Sequence, residues 1–272
     1  NSFLIYKGLN KGIELICKIG LPILILFGIS LVILIFTSNP HSNPEWSINN
    51  ALGYMWNPNI SALSNPKVWI EAAGQIFFTL SAGFGMMMTY ASYLKKNDDV
   101  VLSGMTSAMS NTFIEVIIGG SIVIPAAFIF FGPIEAEKFA NSGSFSLGFI
   151  TMPLIFTKIG GLFGQFTGFL WFGLLFIAGL TSSISLLQPA ISFMEDEFKL
   201  NRKQSTALLS LFCLLMCLPA VLFFKYGLVD EIDSWAANIF PFIFSFILVI
   251  IYGWIIGAKK AYEETMIGSD LK

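Results

Sequence analysis

The chain has 272 residues, of which 55% are hydrophobic, 15% aromatic and only 12% charged, with a formal net charge of −2. Soluble domains carry about 25% charged residues, so this composition, with a mean hydropathy of +0.76, excludes a soluble domain and marks an all-α integral membrane protein. The net charge says nothing about nucleic acid, and no nucleic-acid partner is expected; the lipid bilayer is.

The chain begins at Asn1 with neither an initiator methionine nor a signal peptide, and is expected to be a segment of something longer. A helical span needs about 20 apolar residues, and six candidates follow in order. The first is 13–37. A loop over 39–66, rich in Asn, Pro and Ser, then carries His41, read as a surface residue, and Trp46 and Trp56, which suit a membrane interface. The second span, 69–94, cannot remain one helix. Residues 68–78 form one half and 86–94 the other, ending at Lys95-Lys96. Between them Thr79, Ser81, Gly83 and Gly85 bring polar side chains and weak helix formers. Backbone that leaves a helix at membrane depth must line a cavity or be buried in protein, because lipid offers it no hydrogen bonds.

The third span, 103–131, is interrupted by Gly119-Gly120 and Pro125. After it comes a short polar helix at 134–141, a Gly-Ser turn, and an apolar piece at 149–157 that either dips into a vestibule or lies on the surface. The fourth span, 168–194, is interrupted at Gly179, and 207–224 and 235–257 complete the set. Cys17, Cys213 and Cys217 all fall inside apolar spans, which suits neither a disulfide framework nor zinc. Lys and Arg divide 11 against 4 between the two sides. By the positive-inside rule both ends are cytoplasmic and the two long loops face outward.

Four polar sets interrupt the apolar pattern. The break at 78–85 presents free N–H groups to an anion and free carbonyls to a cation, with hydroxyls from Thr79 and Ser81 and aromatic walls from Phe78 and Phe84; the alternative is a packed glycine kink. Asn111 and Glu115 stand one helical turn apart, with Ser107 a turn before and Gly119 a turn after, so the carboxamide and the carboxyl are expected to point the same way. An acidic group inside a span marks function by default; the alternative is a polar residue near the interface. In Ala178-Gly-Leu-Thr-Ser-Ser-Ile-Ser185, the Thr181 and Ser182 hydroxyls lie beside the Ala178 carbonyl, half of an oxygen shell for a hard cation. Back-bonding to the i−4 carbonyl explains the same residues without an ion. Acidic groups at helix mouths, Glu195-Asp196-Glu197 on one side and Asp230, Glu231 and Asp233 on the other, are solvated ends, with Asp233 placed to cap a helix. No Walker motif, HExxH or nucleophile elbow occurs, and one histidine leaves little for general-base catalysis. An enzyme is not expected.

The run Gly74-Gln-Ile-Phe-Phe-Thr-Leu-Ser-Ala-Gly-Phe-Gly85, the later Thr89-Tyr-Ala-Ser-Tyr93, and Ala178-Gly-Leu-Thr-Ser-Ser183 followed by Gln188-Pro189 resemble the neurotransmitter:sodium symporter family, nearest to bacterial amino acid transporters of the LeuT type. The resemblance runs through nearly the whole chain. It implies an inverted-repeat fold in which these six spans are helices five to ten, one unwound at the bilayer midplane. Residues 13–37 would end the first repeat and 68–257 would form the second, within one membrane domain over 1–272. Helices one to four, eleven and twelve would be missing partners.

By the same resemblance, Thr79 and Asn111 would ligate a first sodium ion, and the Ala178 carbonyl, Thr181 and Ser182 a second. Phe78, Thr79, Ser81, Phe84, Ser182 and Leu186 would contact an amino acid substrate, with Phe78 closing over it. Asp233 and Asp196 would be the outer and inner gate acids. Glu115, where chloride-dependent relatives have serine, would replace chloride. The implied activity is sodium-coupled symport of an apolar or aromatic amino acid across a bacterial inner membrane. Lacking the other half of the site, the segment alone is expected neither to bind substrate nor to transport. A sensor or non-transporting scaffold keeping the fold is the alternative, and a channel is disfavoured because no span shows a repeated polar stripe.

Overall fold

The computed structural model describes residues 2–6, 14–38, 43–95 and 97–268. His41, Lys7, Lys11, Lys96 and Lys272, and the first residue of the 13–37 span, lie outside them. The described residues are helical with no strand among them: α1 (Ser2–Tyr6), α2 (Glu14–Thr37), α3 (Ile48–Trp56), α4 (Pro66–Thr79), α5 (Met86–Ala91), α6 (Val100–Thr112), α7 (Val123–Phe131), α8 (Pro133–Ala140), α9 (Ser144–Ser146), α10 (Met152–Ile159), α11 (Gly161–Glu197), α12 (Arg202–Leu222), α13 (Leu228–Asp233), α14 (Phe240–Ile250) and α15 (Ala258–Thr265). Among them, five continuous helical stretches are long and apolar enough to cross a bilayer: Glu14–Thr37, Val100–Phe131, Gly161–Glu197, Arg202–Leu222 and Leu228–Thr265. The expected sixth, 69–94, is two shorter pieces, α4 and α5, separated by unwound chain.

Two helices start earlier than apolar runs suggest, because polar residues cap them. The Asp99 carboxylate accepts from the Leu102 N–H at 2.8 Å, which starts α6 at Val100 rather than 103. A reciprocal pair, Asn201 and Gln204, starts α12 at Arg202 rather than 207. Of the expected interruptions, the one at Gly179 does not occur. α11 runs unbroken through Gly179, where an added Cβ would meet nothing within 4 Å. The interruption at Gly119-Gly120 is present as a turn over 120–122 before α7, preceded by a π-helical stretch, Phe113–Gly119, and the Gly120 N–H reaches five residues back to the Glu115 carbonyl at 3.0 Å.

The chain forms two compact units. The first comprises 16–59 and 112–180. Its core joins Leu31 and Ile35 of α2, Ala126 to Phe130 of α7, Met152, Ile155 and Phe156 of α10, and Leu170 and Trp171 of α11. Small residues allow close approach here: a Cβ on Gly173 would meet the Phe27 ring at 2.7 Å, and one on Gly28 would meet Ile118 at 3.0 Å. The apolar piece near 149–157 packs one face on this core and leaves the other exposed. Gly148, Thr151, Met152, Ile155 and Phe156 are buried while Phe149, Ile150 and Leu154 are exposed, the i, i+3, i+4, i+7 pattern of a helix packed on a core. Its ends are tied down. Trp171 Nε1 donates to the Gly148 carbonyl at 3.0 Å, and Lys158 Nζ donates to the Phe130 carbonyl at 2.8 Å, closing the end of α7. Trp46 lies over Gly132, where φ is +84° and a Cβ would come within 2.5 Å of its ring.

The second unit comprises 1–15, 60–111 and 181–272. The Asn65 side chain caps α4, accepting from the Lys67 N–H at 3.0 Å, with Pro66 in the first turn. α4 packs against the π-helical stretch Ser234–Ile239 and against α14. A Cβ on Gly74 would lie 3.1 Å from Asn238 Oδ1, and the Phe77 and Phe242 rings meet edge to face at 5.9 Å.

Candidate functional site

α4 ends at Thr79 for a local reason. The Ser81 N–H donates to the Phe78 carbonyl at 3.0 Å and the Ala82 N–H to the Phe77 carbonyl at 2.8 Å, the paired bonds of a Schellman termination. That motif needs a left-handed residue just past the cap. The residue here is Ser81, at φ 55°, a place glycine normally takes. A serine there carries local strain that surrounding contacts must hold. Gly83 and Gly85 follow at φ 80° and 78°, and Gly85 caps α5, its carbonyl accepting from both the N–H and the Oγ1 of Thr89 at 3.0 Å.

The unwound segment leans on α14. A Cβ on Gly83 would lie 2.7 Å from the Pro241 carbonyl oxygen and 3.0 Å from Ser245 Oγ. Ser245 is 4% exposed and its hydroxyl has no hydrogen-bond partner. A buried unpaired hydroxyl costs about 1–3 kcal/mol. Ser245→Ala is therefore expected to raise the thermal melting temperature, and Ser245→Val to lower it by crowding Gly83. An unaltered melting temperature in Ser245→Ala would show that the hydroxyl is satisfied.

The structure brings Thr79 and Asn111 together: Asn111 Nδ2 donates to Thr79 Oγ1 at 2.7 Å, across 32 residues of sequence. Phe78 and Phe84 meet edge to face with ring centroids 6.0 Å apart, so the two aromatic residues flanking the break touch each other. Phe78 remains 46% exposed and Ser81 half-buried.

On α11, Ala178, Thr181 and Ser182 keep the i, i+3, i+4 spacing of an unbroken helix. Ile184, Gln188 and Ile191 form the buried face of its later turns, whereas Gly179, Ser182 and Leu186 lie on an exposed face. Glu115 is half-buried within the π-helical stretch. Asp196 is exposed at the end of α11. Asp233 is exposed too, but it is not a helix N-cap: α13 has already begun at Leu228, and Asp233 is helical at φ −62° with no side-chain capping bond. The α13 N-cap is Gly227, left-handed at φ 76°.

Sequence reasoning missed two further arrangements. Tyr90 on α5 donates its hydroxyl to Ser185 Oγ on α11 at 2.9 Å. Arg202 donates from Nη2 to Gln188 Oε1 at 2.7 Å and from Nε to the Ile5 carbonyl at 3.1 Å, and pairs with Glu195 at 3.4 Å. Among the described residues, the acidic partner of Arg202 is Glu195. The only sequence signals were Tyr90 inside the Thr89–Tyr93 motif and an arginine just past an acidic run. Neither names its partner.

Residues 2–270 match the sodium:neurotransmitter symporter family model. Similar proteins include an uncharacterised sodium-dependent transporter of Methanocaldococcus jannaschii, 29% identical over 275 residues, covering 100% of this chain and 54% of that protein. One from Haemophilus influenzae is 29% identical over 284 residues, covering 100% of this chain and 58% of that protein. The chain thus spans a little over half the length of these relatives. Among solved structures, MhsT in complex with L-phenylalanine matches with a TM-score of 0.82 and 28% identity, over 99% of this chain and 60% of MhsT.

Proposed function

The chain belongs to the sodium:neurotransmitter symporter family, with a LeuT-type all-helical membrane fold and a place among transporters rather than enzymes; from that premise we propose that it is the helix-five-to-ten portion of a sodium-coupled symporter for an apolar or aromatic amino acid. Residues 13–37 close the first repeat and 68–257 form the second. Both ends of the segment face the cytoplasm of a bacterial cell, and the remaining six helices complete the site.

The observation that carries this reading is the Thr79–Asn111 contact at 2.7 Å. It sets a hydroxyl and a carboxamide, both oxygen donors suited to a hard monovalent cation, beside backbone that has left its helix. On this reading a first sodium ion takes oxygens from Thr79 and Asn111, next to the substrate carboxylate. A second ion takes the Ala178 carbonyl, Thr181 and Ser182. Phe78, Ser81, Phe84 and Leu186 line the substrate, and the exposure of Phe78, Ser182 and Leu186 suits side chains whose partners lie on other helices. The L-phenylalanine held by MhsT supports an aromatic or apolar substrate. Glu115 supplies a fixed negative charge, so chloride is not required. Asp233 and Asp196 act as gate acids. Alternating access then follows from rocking of one part of the bundle about the midplane site.

Uptake by proteoliposomes holding the complete transporter tests this. Sodium-gradient-driven, saturable accumulation of an apolar or aromatic amino acid in chloride-free buffer is expected; uptake indifferent to sodium overturns the reading. Thr79→Val and Thr181→Val each delete one oxygen and should raise the half-saturating sodium concentration by about tenfold, the worth of one ligand contact of roughly 1.4 kcal/mol. Phe78→Ala should lose substrate occlusion, and unchanged affinity and transport in that variant would remove Phe78 from the pocket.

A further inference from the structure

α5 is six residues long, with unwound chain before it and turns after it. Isolated helices shorter than about 12 residues are marginal, so its position depends on what it touches. On α11 it meets Ser185, which accepts the Tyr90 hydroxyl at 2.9 Å, and a Cβ added to Gly85, the residue just before α5, would stand 3.8 Å from Pro189 Cβ. Ser185 follows Thr181 by four residues and Ser182 by three, so the three hydroxyls are neighbours on an unbroken helix. The bond joins residues 95 apart in sequence and is partly buried.

We propose that Tyr90 is a positioning residue: through Ser185 it holds the short half-helix α5 against the turn of α11 that carries Thr181 and Ser182, and so couples the placement of that half-helix to cation affinity on α11. The proposal rests on α11 being the ion-bearing helix of the function proposed above. An ion that binds best when α5 is docked must, by reciprocity, strengthen the docking by the same factor. Hydrogen bonds between membrane helices are modest, so the coupling is worth about threefold in sodium affinity. A tether of that size holds the half-helix without locking it, as a part that moves during transport requires.

The test uses the complete transporter carrying Tyr90→Phe, Ser185→Ala, both together, and Ser185→Thr. Each single removal is expected to raise the half-saturating sodium concentration by about threefold, with the maximal rate at saturating sodium within about twofold of the parent. The double variant should be no worse than either single, because both remove one interaction, and Ser185→Thr, which keeps a hydroxyl, should stay near the parent. A merely structural role would lower yield or maximal rate and leave the sodium titration alone. Unaltered sodium half-saturation in both singles, or effects that multiply in the double, overturn the proposal. A parent that shows no sodium-stimulated uptake instead overturns the proposed function. The tether is read apart from transport by spin labels at the exposed positions 88 and 193. Tyr90→Phe should broaden their distance distribution, and an unchanged distribution overturns the tether.

Discussion

Gly83→Ala is expected to be the most damaging single-methyl substitution at the break. Two independent penalties fall on that one carbon. The backbone is left-handed at φ +80°, a conformation that costs an L-residue about 1–2 kcal/mol. The added Cβ would also press within 2.7 Å of the Pro241 carbonyl oxygen, a backbone atom that cannot swing away as a side chain does. Overpacking of that kind costs about 1–3 kcal/mol, for a combined loss of roughly 2–5 kcal/mol. Relief requires α14 or the unwound segment to move, and the unwound segment carries Ser81 and Phe84. A lowered melting temperature in detergent, followed by tryptophan fluorescence, should therefore accompany loss of sodium-driven uptake. Gly179→Ala is the control with the opposite sign. It sits inside α11 with nothing within 4 Å of the new methyl, and alanine favours a helix interior over glycine by about 1 kcal/mol. Equal melting curves for the two variants would show that the approach of Gly83 to α14 is not as close as described.

The second large effect is expected from Arg202→Ala. Its guanidinium serves three acceptors on two elements: the Gln188 amide oxygen and the Glu195 carboxylate of α11, and the Ile5 main-chain carbonyl of α1. Gln188 is 0% exposed, so its oxygen cannot turn to water when the arginine goes. Leaving it unpaired costs about 1–3 kcal/mol. The Glu195 contact adds less, because that pair retains side-chain exposures of 23% and 28% and solvent screens it. The Ile5 bond ties α1 to α12, as does the hydrogen bond joining the Ser2 and Ser210 hydroxyls at 2.7 Å. Arg202→Ala should lower the melting temperature and accelerate hydrogen exchange and proteolysis within α1. Arg202→Lys should recover only part of the loss, since an ammonium lacks the planar fork that reaches three acceptors at once. Unchanged exchange in α1 would show that other contacts hold it.

Much of the break was legible because two kinds of signal coincide over a few residues. Glycines at 83 and 85 and hydroxyls at 79 and 81 weaken a helix in a medium that tolerates no loose backbone. What stayed hidden was which residue carries the strain and what the segment leans on. Ser81, not a glycine, takes the left-handed position at the end of α4, and propensity alone points the other way. The buttress, Pro241 with Ser245, lies more than 150 residues downstream in an apolar run that periodicity reads only as a span. Thr79 and Asn111 were each singled out on local grounds, and only the resemblance suggested that they act together. Caps explain two of the helix boundaries, since Asp99 and Asn201 start α6 and α12 ahead of the first continuous apolar run.

The sequence by itself determined the solvent, the spans and the place where one span must break, because each follows from the chain's own chemistry against lipid: apolar length, charge placement and backbone that helices do not favour. Tertiary structure alone decided the pairings: Asn111 with Thr79, Tyr90 with Ser185, Gly83 with α14 and Arg202 with Gln188. The physical reason is one of range. A helix and its breaks are settled by neighbours within a turn or two, whereas a hydrogen bond between residues 32 or 95 apart exists only once packing has brought their helices together.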